Sequence, residues 1–96
     1  MYAVVRRDDR AAPAAGDLAR SGRALTAALG HVPGFISCVL FDADGGTLVS
    51  IVICEDPAGL EAAGQVLTDW LAAHLVVSSD RPAQVIAGEV IVQRGL

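Results

Sequence analysis

The chain has 96 residues, length for one domain and no second, and a domain this small buries only about 60–65% of its unfolded surface. Apolar residues still make up 53% of it, and mean hydropathy is +0.50, so either a membrane or a partner must hide the excess. A net charge of −4, with seven scattered arginines and no lysine, provides no basic face for phosphates and excludes nucleic acid as a partner.

No apolar run approaches the ~20 residues of a membrane-spanning helix. The opening MYAVVRRDDR places its charges after the apolar residues, the reverse of a secretory leader. The expectation is a cytoplasmic oligomer with no membrane contact.

Tyr2 to Arg7 is a β-branched run and reads as a first strand, followed by a solvated loop cluster of Asp8, Asp9 and Arg10. From Ala14 to Leu29, Leu18, Leu25 and Leu29 recur at helical spacing. Gly22 shares their stripe, which predicts a helix with a close-packing notch. Gly30 is its expected terminator in the left-handed conformation. His31-Val32-Pro33-Gly34 connects to a second strand, Phe35 to Phe41, with His31 read as a solvated loop residue. Asp42 to Gly46 is a turn, and Thr47 to Glu55 a third strand. Asp56 as N-cap and Pro57 at the first helical position open a second helix reaching Leu75 or Val76. Residues 77–82 form a polar link, and Gln84 to Gln93 is the last strand, with Glu89 at a solvated edge. The order is βαββαβ, an α+β layout with both helices on one face of a four-stranded antiparallel sheet.

Three strands are apolar at both parities. Phe35, Val39 and Phe41 oppose Ile36, Cys38 and Leu40; Leu48, Val52 and Cys54 oppose Val49, Ile51 and Ile53; Val85, Ala87 and Ile91 oppose Ile86, Val90 and Val92. A sheet with one wet face would show polar residues at every second position. Two helices cover one face only, so a second copy packed sheet to sheet is the expected cover. With Asp44-Gly45 as a two-residue turn, Cys38 pairs with Ile51 and Cys54 with Phe35. The two thiols then point to opposite faces, buried and free.

On the second helix, Leu60, Ala63, Leu67, Trp70, Leu71 and His74 share a face, with Trp70 and His74 adjacent at a spacing of four. Two readings stand side by side. Trp70, His74 and Leu67 line a ligand cavity, with His74, Trp70 and Tyr2 as the candidate catalytic groups. Alternatively Trp70 fills core volume and His74 bonds a carbonyl near the helix end. The chain has no Walker loop, no G-x-G-x-x-G, no G-x-S-x-G and no cluster of metal ligands, so no metal and no cofactor is expected.

Pro33-Gly34-Phe35, Asp42 at the end of a strand, and Glu55-Asp56 before the second helix resemble the antibiotic-biosynthesis-monooxygenase-like (ABM-like) branch of the dimeric α/β-barrel superfamily. The resemblance spans nearly the whole chain. It implies two ferredoxin-like protomers whose sheets pack into a barrel, each with a cavity between sheet and helices. Such relatives include cofactor-independent oxygenases of polycyclic phenols and haem-degrading enzymes, which commonly use an asparagine and a tryptophan, the haem enzymes adding a histidine. Trp70 falls in the corresponding helix, His74 follows it by only four residues, and the chain contains no asparagine. The reading carried forward is a homodimer that binds a small apolar ligand. Its alternatives are a cofactor-independent monooxygenase or isomerase, and a structural assembly module without a ligand.

Overall fold

The computed structural model describes residues 1–11, 15–43, 46–74, 76–77 and 83–96, and for 10–11, 15–19, 74 and 76–77 the backbone alone. In chain order the elements are β1 (Tyr2–Ala11), α1 (Ala15–Leu29), β2 (Phe35–Ala43), β3 (Thr47–Cys54), α2 (Pro57–His74), β4 (Val76–Val77) and β5 (Gln84–Glu89). All pairings are antiparallel: β2 on β3, β3 on β1, then β5 along residues 2–7 of β1 and β4 beside its last two residues. This is the ferredoxin-like βαββαβ layout, with β1 in the centre and the short β4 as an addition. Residues 78–82 of the expected polar link lie outside the described residues.

The core lies between the sheet and the helices. Leu25 and Leu29 of α1, Ala63, Leu67, Trp70 and Leu71 of α2, and Leu48, Val52 and Cys54 of β3 are its buried members. On β3, buried and half-buried residues alternate strictly from Thr47 to Cys54, so its even-numbered side chains face the helices. The ladder register carries that parity to β1, where Tyr2, Val4, Arg6 and Asp8 face the helices, and to β5, where Val85, Ala87 and Glu89 do.

Five expectations are corrected. The first strand runs past Arg7, and Asp8 is a buried strand residue instead of part of a loop cluster. Gly22 is no packing notch, because a Cβ there would meet nothing within 4 Å; the crowded glycine is Gly59, where a Cβ would stand 3.0 Å from the Pro33 carbonyl oxygen. Gly30 is not left-handed, and among the described residues the positive φ falls on Gly34, +79°, and Gly95, +87°; α1 ends instead in tighter i→i−3 bonds, from the His31 N–H to the Ala28 carbonyl and from the Val32 N–H to the Leu29 carbonyl.

The fourth concerns the hairpin. Ala43 pairs with Thr47, one residue beyond the predicted Gly46, and Cys38 pairs with Val52. An irregularity between Phe35 and Ser37 takes up the extra residue, so only the Phe35–Cys54 pair matches the expected register. Cys38 and Cys54 consequently share the helix-facing side, and Phe35 joins Cys38 and Leu40 against the core. Asp44 and Gly45 lie outside the described residues. The last strand ends at Glu89, four residues earlier than expected, with the Val90 N–H bonded to the Met1 carbonyl at 2.9 Å.

Candidate functional site

The helices leave two apolar parts of the sheet uncovered. On the far side Val5, Val39, Phe41 and Ile86 are exposed, with the half-buried Val49, Ile51 and Ile53 among them. On the near side α2 packs over β3, β1 and β2, and β5 lies beyond its cover. Every residue of β5 is exposed, Val85 by 58% on the helix side and Ile86 by 74% on the other.

A groove therefore runs along β1 between α2 and β5. Its floor is Tyr2 and Val4, both half-buried, and its outer wall is Val85 and Ala87. Thr68, bonded to Arg6, marks its α2 side, and Gly64 and Leu60 precede Thr68 on that helix at spacings of four. A Cβ on Gly64 would meet nothing within 4 Å, which leaves that side open.

One end of the groove is polar. Arg6 donates from Nε to Asp8 Oδ2 at 2.9 Å and from Nη2 to Asp8 Oδ1 at 3.2 Å, while its Nη1 donates to Thr68 Oγ1 at 2.7 Å. Thr68 passes its own proton back to the Gly64 carbonyl at 2.8 Å. Asp8 is buried and Arg6 about a fifth exposed, so the pair joins sheet to helix in a largely desolvated place. Ser50, the ladder partner of Arg6 on β3, is buried with no hydrogen-bond partner for its Oγ among the described residues.

Trp70 and Leu67 sit in the core. The Trp70 indole N–H donates to the Ser21 carbonyl of α1 at 3.2 Å, tying the helices together. Tyr2 lies on the groove floor, between Cys54 on β3 and Glu89 on β5. His74 is the last residue of α2 and its side chain lies outside the described residues; His31 is exposed beyond α1. The described histidine thus stands apart from the groove and supplies no axial ligand for a haem in it. Among the described residues no group of three or more His, Cys, Asp or Glu is placed to hold a metal ion, and no helix is long and apolar enough to cross a membrane.

Arg6, Asp8, Ser50 and Thr68 were missed by sequence reasoning. The available signal was the period of two, since Tyr2, Val4, Arg6 and Asp8 continue one alternating face into the acidic residues. Both thiols are held above their ordinary pKa. For Cys38 burial is the larger cause and the neighbouring Cys54 the smaller. For Cys54 it is burial, then Asp56, partly offset by a backbone hydrogen bond from Ile36.

The motifs behind the family resemblance meet at the base of α2. The Glu55 N–H donates to the Gly34 carbonyl at 2.8 Å, and Asp56 Oδ1 caps the helix by accepting from the Gly59 N–H at 2.7 Å. They fix where β2, β3 and α2 join.

No family model matches the chain, and no curated protein matches it. Solved structures do. Rv0793 from Mycobacterium tuberculosis is 22% identical, with a TM-score of 0.68 over 98% of both chains. A point mutant of MhuD, with two manganese protoporphyrin IX bound per active site, is 18% identical, with a TM-score of 0.70 over 99% of both. SnoaB, a cofactor-independent oxygenase from Streptomyces nogalater, is 18% identical, with a TM-score of 0.61 over 99% of this chain and 95% of its own. This chain has the ferredoxin-like α/β fold of the antibiotic biosynthesis monooxygenase proteins.

Proposed function

We propose that this protein is a homodimer, closed sheet to sheet into an α/β barrel, that binds a small apolar ligand in the groove between α2 and β5. The observation that carries this reading is β5 itself. It is exposed on both faces although Val85, Ile86 and Ala87 are apolar, and nothing in the described chain covers it. A second copy answers the far side, where Val5, Val39, Phe41 and Ile86 would become an interface core. A ligand answers the near side, where α2 stops short.

Two measurements test it. Light scattering is expected to give twice 9.9 kDa, and Ile86→Glu to halve that mass. Calorimetry with tetralin, a small bicyclic hydrocarbon, is expected to show binding that Gly64→Leu removes by filling the open wall. A wild-type mass of one chain refutes the dimer, and tetralin binding untouched by Gly64→Leu refutes the groove.

A second reading, cofactor-independent oxygenation of the ABM type, is supported by the similarity to SnoaB. It assigns Tyr2, Trp70 and His74 to the reaction. Oxygen uptake with a panel of quinols and phenols tests it. Equal traces from wild type, Tyr2→Phe, Trp70→Phe and His74→Ala would end it.

A further inference from the structure

We propose that residues 91–93, the continuation of β5, pair as a strand with the free edge of β2 in a second copy of this chain. This contact belongs to the dimer inferred above and rests on that reading.

Val90, Ile91 and Val92 are β-branched, and the sequence reads as strand as far as Gln93, yet the last strand ends at Glu89. The reason lies in β1. Tyr2 stands opposite Glu89, and the Val90 N–H donates to the Met1 carbonyl at 2.9 Å. Since β1 begins at Tyr2, its ladder holds nothing to set opposite Ile91. Ile91 and Val92 leave the sheet 92% and 86% exposed, the most exposed large apolar residues among those described. With Val85 and Ile86 they make one apolar strand that nothing in the described chain covers, the mark of a contact with another molecule.

The sheet of a second copy offers two open edges, β2 and β5. Among the described residues β2 pairs with β3 alone, so one edge of Phe35–Ala43 presents unpaired N–H and C=O groups. Side-chain parity decides between the two. Extended from β5, the tail carries Val92 on the far side with Ile86, and Ile91 on the helix side with Val85. Val92 then continues the apolar face that the second copy covers, whereas Ile91 needs a helix over it. At β2 both α1 and α2 pack against the sheet, but β5 lies beyond the cover of α2. A tail on the partner's β5 would leave Ile91 in water. Direction agrees as well. β2 and β5 run opposite ways in one sheet, so a twofold axis along the strands sets each tail antiparallel to the partner's β2. Both open edges vanish in one closure.

Hydrogen exchange on the intact protein tests it, read by mass spectrometry on the peptide 90–96 and on peptides from β2, β3 and β5. In the wild-type dimer the amides of 91–93 are expected to exchange about tenfold or more slowly than unstructured chain, with β2 protected alongside. Ile86→Glu, as a monomer, should lose the protection of 91–93 and the added protection of β2 while β3 keeps its own. A chain shortened to end at Val90 should dissociate on dilution at about tenfold higher concentration than wild type, with the exchange of β3 unchanged. Three results overturn the tail contact and leave the dimer standing: a dimer whose residues 91–93 exchange freely, a tail protected together with β5 instead of β2, or a shortened dimer as tight as wild type. A wild-type mass of one chain sinks the dimer and the tail contact together.

Discussion

Arg6 and Asp8, two residues apart on β1, form a two-pronged ion pair on the face of the strand that α2 covers. Removing one member leaves the other charged in a place with little water. Asp8→Ala is expected to cost about 2–4 kcal/mol, toward the low end because Arg6 keeps some solvent contact. The double variant Asp8→Leu with Arg6→Met should recover most of that loss, since well-packed apolar residues often replace a buried pair without penalty. Urea unfolding of both measures it. A single variant as stable as wild type would show that the pair contributes nothing.

That pair also marks where the sequence stopped being informative. The α2 face was legible because Ala63, Leu67, Trp70 and Leu71 follow the helical period, and those four are buried. Asp8 was not, because two consecutive acidic residues beside an arginine have the composition of a loop. Only the partner on the same strand makes its burial tolerable, and pairing across two residues leaves no mark in hydropathy. The open groove was hidden for another reason. It depends on how far α2 reaches across the sheet, which no residue pattern encodes.

Gly59 and Gly22 should respond to alanine in opposite ways. At Gly59 the new methyl would meet the Pro33 carbonyl oxygen at 3.0 Å, with Asp56 Oδ1 and Cys54 Cβ both at 3.2 Å, so the base of α2 must shift. A loss of about 1–3 kcal/mol is expected for Gly59→Ala. At Gly22, inside α1 with nothing within 4 Å, alanine should add about 0.5–1 kcal/mol through helix propensity. Thermal melts of the two variants in one buffer check the sign of each. A stabilised Gly59→Ala would place the Pro33 loop farther from α2 than it lies here.

Trp70→Phe removes the bond from the indole N–H to the Ser21 carbonyl and part of a buried side chain. About 1–3 kcal/mol of stability should be lost, from one hydrogen bond and one small cavity. Because Trp70 ties α1 to α2 and lies apart from the exposed sheet face, the solution mass should not change. Denaturant unfolding followed by circular dichroism, with light scattering alongside, separates the two effects. A variant that keeps its stability would mean the helices hold together without this contact.

The shifted hairpin register has a consequence at alkaline pH. Pairing Cys38 with Val52 places Cys38 and Cys54 on one covered face, where both thiol pKa values are raised, burial being the main cause for each. The folded chain therefore keeps its thiol protons at a pH where the unfolded chain releases them. The stability this contributes is complete below the ordinary thiol pKa. It falls as pH rises through that value toward the raised folded one, by up to about 1.4 kcal/mol per pH unit for each thiol. The chain has no lysine to titrate in that window. Urea unfolding at pH 8 and pH 10 should show wild type losing more stability than the double variant Cys38→Val with Cys54→Ala. Equal losses would mean that both thiols ionise in the folded protein as readily as in the unfolded one.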